Sequence, residues 1–366
     1  MKKRILILTA GFGEGHNSAA RGVRDGLARV AAADAEIELR DLFPEAYGAL
    51  NEIVRRAYLA IINRWPGSWG YVYRWLDSIT NFDERFERFS RLRQRFTHVI
   101  EGFQPHVIVS TFPPYPHLLR QILETNPGGL HGCKSVVVIT DSITVNAVWY
   151  RCDADYFLAP NEQSAAVLRT AGVAPEKIKT FGFPVSPKFA DLTQDRQLPS
   201  SNSEPRVLYM IHAATRRAAE LVERLAHLGV DLTVTIGRAE KLRPAIEEAS
   251  GGSKTKIIGW TDELPRLLHD NHVLIGKAGG ATVQEAIAAG CPMIINHVVS
   301  GQEEGNARLI VETNSGVIAR SPAEVATQVQ AAFADDAKQW REWAANIHRL
   351  SRPRASLDIA GFLMSL

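Results

Sequence analysis

Cysteine is scarce in this chain: Cys133, Cys152 and Cys291 are its three among 366 residues. Their odd number and wide separation exclude a disulfide framework and offer no metal-ligand spacing, so reduced, buried thiols in a cytoplasmic protein are expected. Charge of one sign is lacking too. With 42 Lys and Arg against 40 Asp and Glu, the net charge of +2 excludes a nucleic-acid binder that works through bulk charge. No apolar run approaches the roughly 20 residues of a transmembrane helix. The opening MKKRILILTA has too short an apolar core for a signal peptide, and Gly11–His16 lead straight into a helix. No carboxylate pair such as D-x-D stands in a metal-binding setting, so neither metal nor other cofactor is expected. What remains is an ordinary globular composition, 45% hydrophobic and 22% charged, on a chain long enough for two cores.

The richest stretch is GKAGGATVQEAIAAGCPMIINHVVSGQEEGN, from Gly276 to Asn306. An apolar run (His272–Ile275) ends in Gly276-Lys277-Ala278-Gly279-Gly280, where a backbone without side chains lets a ligand approach. Ala281 and Thr282 follow, and Thr282 with Glu285 has capping-box spacing, which predicts a helix opening near Thr282. Gly290 and Pro292 stop it. A strand then leads into the polar loop Ser300–Asn306. The free N–H groups and positive dipole end of such a helix suit a diphosphate, and the amide and carboxylate groups of the loop suit a sugar. Glu285 has two readings: it closes the capping box, or it accepts from the two hydroxyls of a ribose.

These residues resemble the donor-site signature of nucleotide-sugar glycosyltransferases with the GT-B fold, family 28 in particular. The resemblance implies that Gly279 and Gly280 face the diphosphate, Glu285 holds the ribose, and Gln302 with Glu303 holds the sugar; Asn306, at the end of the same loop, is a further substrate-binding candidate.

At the other end, Arg4–Ala10 reads as a strand covered on both faces. It runs into Gly11-Phe12-Gly13-Glu14-Gly15-His16, with Asn17 or Ser18 expected to cap the next helix. Gly13 and Gly15 make a second anion-friendly turn, although GxGxG alone is a weak signal. The stretch GFGEGHNSAARGVRDGL resembles the start of the monogalactosyldiacylglycerol synthase and processive diacylglycerol glucosyltransferase branch of the family. That resemblance places His16 at an interdomain cleft near the reacting hydroxyl. A histidine there suits a general base, its ordinary pKa lying near working pH. The alternative is a histidine that merely caps the helix start.

Between residues 50 and 96 aromatic and basic side chains interleave. Trp65, Trp69, Tyr71, Tyr73 and Trp75 sit among arginines, and Phe82, Phe86, Phe89, Leu92 and Phe96 follow at helical spacing. The combination suits an anionic membrane surface, and the family likeness of YLAIINRWPGSWGYVYR supports it. Packing of the Phe stripe onto its own domain is the competing reading. Further on, strands are expected over Pro105–Thr111 and Lys134–Thr140. The second ends in Thr140-Asp141, as in the family, but Asn146 stands where the family usually has a histidine. Asp141 is therefore the expected partner of His16.

The polar stretch 193–205 reads as a linker. Strand, helix and strand alternation then resumes from Arg206, and Gly259-Trp260 resembles the loop that frames the nucleotide base. One loop departs from the family. Ile211-His212-Ala213-Ala214-Thr215-Arg216-Arg217 replaces a Gly-rich turn, so either His212 or Arg216 offsets diphosphate charge, or the donor site is altered.

The expectation is an α/β protein of GT-B fold, with two Rossmann-like domains facing a cleft. Residues 1–193 form the acceptor and membrane-facing domain and 206–345 the donor domain, while the helix 346–366 returns to the first. The implied activity is hexose transfer from UDP-galactose or UDP-glucose to a lipid such as diacylglycerol, at the inner face of the membrane. A lipid-intermediate N-acetylglucosaminyltransferase, a UDP-sugar epimerase and a non-catalytic UDP-sugar-binding regulator are the alternatives.

Overall fold

The computed structural model describes residues 2–64, 89–125, 132–192, 204–212, 217–299, 301 and 303–366, with 58–64 described for the backbone alone. Arg216, Gln302, residues 65–88 of the aromatic–basic segment, and residues 193–203 lie outside the described residues. The chain divides into two compact units. The first is Met1–Pro187 with Ser300–Gly305 and Arg354–Leu366; the second is Lys188–Val299 with Asn306–Pro353.

The first unit is built on a parallel six-stranded sheet in the order β2-β1-β3-β4-β5-β6. Its strands are β1 (Lys3–Thr9), β2 (Ala35–Asp41), β3 (Val107–Ser110), β4 (Lys134–Val138), β5 (Tyr156–Leu158) and β6 (Ile178–Lys179). Ile5 to Leu8 are wholly buried, as an apolar run without alternation requires of a central parallel strand. The helix Glu14–Ala31 covers β1 and carries Gly22 and Gly26 one turn apart. A β-carbon on Gly22 would lie 1.7 Å from the Pro184 carbonyl oxygen, and one on Gly26 would lie 2.3 Å from that of Ser356. The two glycines therefore admit the 183–185 segment and the last helix, Ala355–Ser365, against backbone.

The second unit repeats the plan in the order β12-β11-β10-β7-β8-β9. Here the strands are β7 (Arg206–Met210), β8 (Asp231–Gly237), β9 (Lys256–Gly259), β10 (Val273–Lys277), β11 (Met293–His297) and β12 (Gly316–Ile318). Trp340 and Trp343, from the helical tail, are buried in its core, and the Trp340 indole donates to the His272 carbonyl at 2.8 Å.

In each sheet the strand order reverses beside the first strand, between β1 and β3 in one and between β7 and β10 in the other. Open parallel sheets offer their ligand crevice at the carboxyl ends of the strands at such a switch. Both Gly-rich turns singled out in the sequence lie there.

Three expectations change. The helix after β1 begins at Glu14 with Gly13 as its cap, not at Asn17 or Ser18; the Asn17 carboxamide oxygen instead accepts from the Thr9 hydroxyl at 2.9 Å. The helix Gly280–Ala288 starts two residues before Thr282, because extended Gly279 already turns the chain. The loop after β11 is shorter than expected, since Glu304 opens the helix Glu304–Glu312.

Candidate active site

Unit 1 builds its site on the turn after β1. The Asp41 carboxylate, at the end of β2, accepts from the Gly11 N–H at 2.8 Å and from the Phe43 N–H at 3.0 Å, which pins the turn. Gly13 is extended, and a β-carbon on Gly15 would meet nothing within 4 Å among the described residues, so these leave space beside the first helical turn. His16 is the third helical residue. Its Nδ1 lies 2.8 Å from the Thr111 carbonyl oxygen and 3.1 Å from the Thr140 hydroxyl. A carbonyl only accepts, so Nδ1 carries the hydrogen and the neutral ring presents its lone pair at Nε2. That is the arrangement of a base.

Rings surround this imidazole. Phe112 meets it edge-on at 5.1 Å and Trp149 lies tilted at 5.8 Å. Phe12 stacks on Phe112 at 5.9 Å and meets Phe43 at 5.3 Å, which extends an apolar wall. Burial among these groups pushes the His16 pKa down to about 4, against the opposing pull of the Thr111 carbonyl. The expectation of a pKa near working pH is thereby corrected: desolvation disfavours the imidazolium. Nor is Asp141 the orienting partner. Its carboxylate accepts from the Trp149 indole at 2.8 Å, so it holds the ring that packs on His16 while the Thr111 carbonyl sets the tautomer. Asn146 caps a short 3-10 turn, its Oδ1 accepting from the Val148 N–H at 3.1 Å.

Unit 2 places the donor candidates at its own switch point. Gly279 caps the helix Gly280–Ala288 without any side-chain hydrogen bond, so the first N–H groups are not covered by a cap. Thr282 is a buried third helical residue, and Glu285, half-buried, is the sixth. A sixth residue lies more than a turn past the cap, so the capping-box reading of Glu285 is excluded. Lys277 closes β10 and Ala278 is wholly buried behind it. The Asn306 carboxamide donates to the Ala278 carbonyl at 3.2 Å, while its buried Oδ1 has no partner among the described residues. His212 stands two residues past the end of β7, and among the described residues its buried Nε2 has no partner either.

Gly259 ends the edge strand β9 and Trp260 follows it; Trp260 is 64% exposed with the Arg238 guanidinium over its ring at 5.8 Å. Glu303 is buried, and it groups with unit 1 as part of Ser300–Gly305. A β-carbon on Gly305 would lie 2.1 Å from the Ser142 carbonyl oxygen, so the glycine of this loop is required by close approach to the turn after Asp141.

In the aromatic–basic segment the competing reading holds for three residues. Leu92 and Phe96 are wholly buried and Phe89 packs beside them in the core of unit 1. Leu50, Ile53 and Val54, by contrast, are exposed at helical spacing on the helix Ala49–Arg64. The sequence reading missed Thr111, Thr140 and His297. His297 had a signal, since it ends a strand beside the Gly turn; the Thr111 contact is made by backbone, which leaves no sequence trace.

Comparison with known proteins bears on both units. A model of monogalactosyldiacylglycerol synthase matches residues 16–185, and one of the glycosyltransferase family 28 C-terminal domain matches residues 208–350. The chain thus joins a monogalactosyldiacylglycerol synthase domain to a glycosyltransferase family 28 C-terminal domain. Within the curated members it is 28% identical over 382 residues to a probable chloroplastic monogalactosyldiacylglycerol synthase 2 of Oryza sativa subsp. indica, covering 98% of this chain and 79% of the relative. It is 24% identical over 369 residues to the processive diacylglycerol beta-glucosyltransferase of Bacillus subtilis (strain 168), covering 98% and 92%. Among solved structures, Acinetobacter baumannii MurG superposes with a TM-score of 0.64 at 12% identity over 100% of both chains. The two parallel sheets and that likeness give the chain the GT-B fold.

Proposed function

We propose that the chain transfers a hexose from a UDP-hexose, galactose or glucose, to the free hydroxyl of a diacylglycerol, without metal or other cofactor. The observation that carries this is His16: a neutral imidazole with its Nδ1 hydrogen committed to a backbone carbonyl and its Nε2 lone pair available, beside an apolar wall suited to a lipid. The named activities of the relatives point the same way.

In the reaction, Nε2 takes the acceptor proton as that oxygen attacks the anomeric carbon of the hexose. The bond from this carbon to the diphosphate oxygen breaks, UDP departs with the electron pair, and a single displacement inverts the carbon. Lys277 and the N-terminus of the helix Gly280–Ala288 would meet the charge developing on the diphosphate, an electrostatic role that needs no ion. Glu285 would accept from the ribose hydroxyls and Glu303 from the sugar.

We further infer attachment to an anionic membrane from the cytoplasmic side. Leu50, Ile53 and Val54 are exposed beside Arg56, which is 77% exposed and ion-paired with Glu52 at 2.7 Å, and apolar groups flanked by a basic one are what interfacial helices use. No helix among the described residues is long and apolar enough to cross a membrane.

The test is incubation with labelled UDP-galactose, UDP-glucose and UDP-N-acetylglucosamine in the presence of diacylglycerol vesicles, with the label counted in the lipid phase. Tight UDP binding with no glycolipid from any donor would sink the reading. Activity that EDTA abolishes and added Mg²⁺ restores would remove its metal-free part. Sedimentation with vesicles should rise with anionic lipid and fall with salt; indifference to both would withdraw the membrane surface.

A further inference from the structure

The carboxyl ends of β7, β10 and β11 bring three basic side chains together around the switch point of unit 2: His212 just after β7, Lys277 at the end of β10, and His297 at the end of β11. The Nε2 atom of His212 lies 3.8 Å from where a β-carbon on Gly276 would stand, so the imidazole leans over the glycine that ends the apolar part of β10. That nitrogen is shielded from solvent and has no hydrogen-bond partner among the described residues. Four buried side-chain polar atoms among the described residues lack a partner, and two of them, His212 Nε2 and Asn306 Oδ1, belong to this one strand-end region. A buried donor or acceptor without a partner costs about 1–3 kcal/mol, so two such groups beside the end of β10 point to a ligand that supplies the missing bonds. Since the Asn306 Nδ2 is committed to the Ala278 carbonyl, Oδ1 is fixed as an acceptor for a hydroxyl or N–H.

We propose that His212 is a ligand of the donor diphosphate and that donor binding draws a proton onto its imidazole. The inference rests on the UDP-hexose reading above and adds a regulation of that site by pH. In the empty site the charged form is disfavoured, first by burial and then by the positive charges of Lys277 and His297, which hold the pKa down at about 4. Those are the groups facing it from β10 and β11. On the helix that follows, the Arg217 and Glu220 side chains are paired with each other at 3.1 Å, and the helix Gly280–Ala288 contributes its positive end. A diphosphate reverses the local potential, so the imidazolium becomes the favoured form when the donor is bound. With the bound-state pKa above the free one, the affinity gain is complete at pH below about 4 and fades as pH rises through the bound-state value.

UDP-glucose is the proper probe, since both of its phosphates are diesters that do not titrate in this range. Calorimetric titration of the whole chain at pH 5.5 in two buffers of different ionisation enthalpy reads the protons taken up. The wild-type protein should take up a fraction of a proton and bind more tightly at pH 5.5 than at pH 7.5. His212→Gln should abolish the uptake and weaken UDP-glucose about tenfold, while uridine, which lacks phosphate, binds as before. Uptake of no protons by the wild-type chain, or the same uptake by His212→Gln, overturns the inference. An equal loss for uridine and UDP-glucose overturns it as well, since it marks a structural role. Failure of the wild-type chain to bind UDP-glucose at any pH would instead remove the donor reading on which the inference stands.

Discussion

The two units place a histidine at the same point of the same plan, beside the first strand of a parallel sheet where the strand order reverses. Both imidazoles are held neutral, with pKa values pushed down to about 4, but for different reasons. His16 is desolvated among aromatic rings, and its one committed nitrogen faces the Thr111 carbonyl. His212 is desolvated and also repelled by Lys277 and His297, and its Nε2 has no partner among the described residues. A satisfied, oriented imidazole can serve as a base without rearranging. An orphaned one in positive surroundings is built to receive an anion. The shift alone does not distinguish these roles; the hydrogen-bond partner does.

The sharpest way to break this contrast is His16→Ala. It should lower kcat by about 10²–10⁴-fold with UDP affinity nearly unchanged. A variant retaining most of its turnover would transfer the base to another group in unit 1.

Glu285→Ala tests the opposite unit. Loss of charge-assisted bonds to ribose should weaken UDP by about 1–3 kcal/mol, with little change in melting temperature because no cap is lost. A lower melting temperature at unchanged UDP affinity would make Glu285 a packing residue of its helix.

Thr140→Val removes the hydroxyl beside Nδ1 but leaves the Thr111 carbonyl. A fall in kcat of about 2–10-fold, at constant donor affinity, is expected of a positioning residue. No change would assign the tautomer to Thr111 alone.

Both histidines also bear on stability. Their folded-state pKa values lie below the ordinary 6.5, so between pH 6.5 and about 4 the unfolded chain binds protons that the folded chain does not. Stability should therefore fall as pH falls through that window. Melting curves of wild type and His16→Gln decide the point: the variant should show a shallower decline, and parallel declines would detach His16 from the effect.

The smallest effect is expected at Glu303, which groups with unit 1. Glu303→Ala should leave UDP affinity nearly intact while blurring the choice among UDP-glucose, UDP-galactose and UDP-N-acetylglucosamine. A large loss of UDP affinity would reassign this loop to the nucleotide.

The reading of the sequence succeeded where one residue type and one spacing carry the signal. Buried central strands such as β1 and β10 are continuous apolar runs, and the Gly279-Gly280 turn is named by its glycines. The edge strand β2, AEIELRD, alternates charge with apolar residues and gave no comparable run. The aromatic stripe of residues 82–96 shows a limit of pattern. Helical spacing reveals that one face is apolar, but the same period serves a membrane and a core, and for Phe89, Leu92 and Phe96 the core prevailed.

Sequence by itself determined the two-unit α/β plan, the family and the identity of the chemical groups, because these reside in local periodicity and in motifs read residue by residue. Tertiary structure alone decided which atom holds which. Thr111 reaches His16 across 95 positions through a carbonyl that any residue would supply, so no side chain records the contact. Asp141 was diverted to Trp149. Gly22, Gly26 and Gly305 are glycines because other backbone segments approach too closely for a β-carbon. The isolation of His212 Nε2 is likewise a property of three strand ends converging, and convergence of distant strands is what folding adds to a sequence.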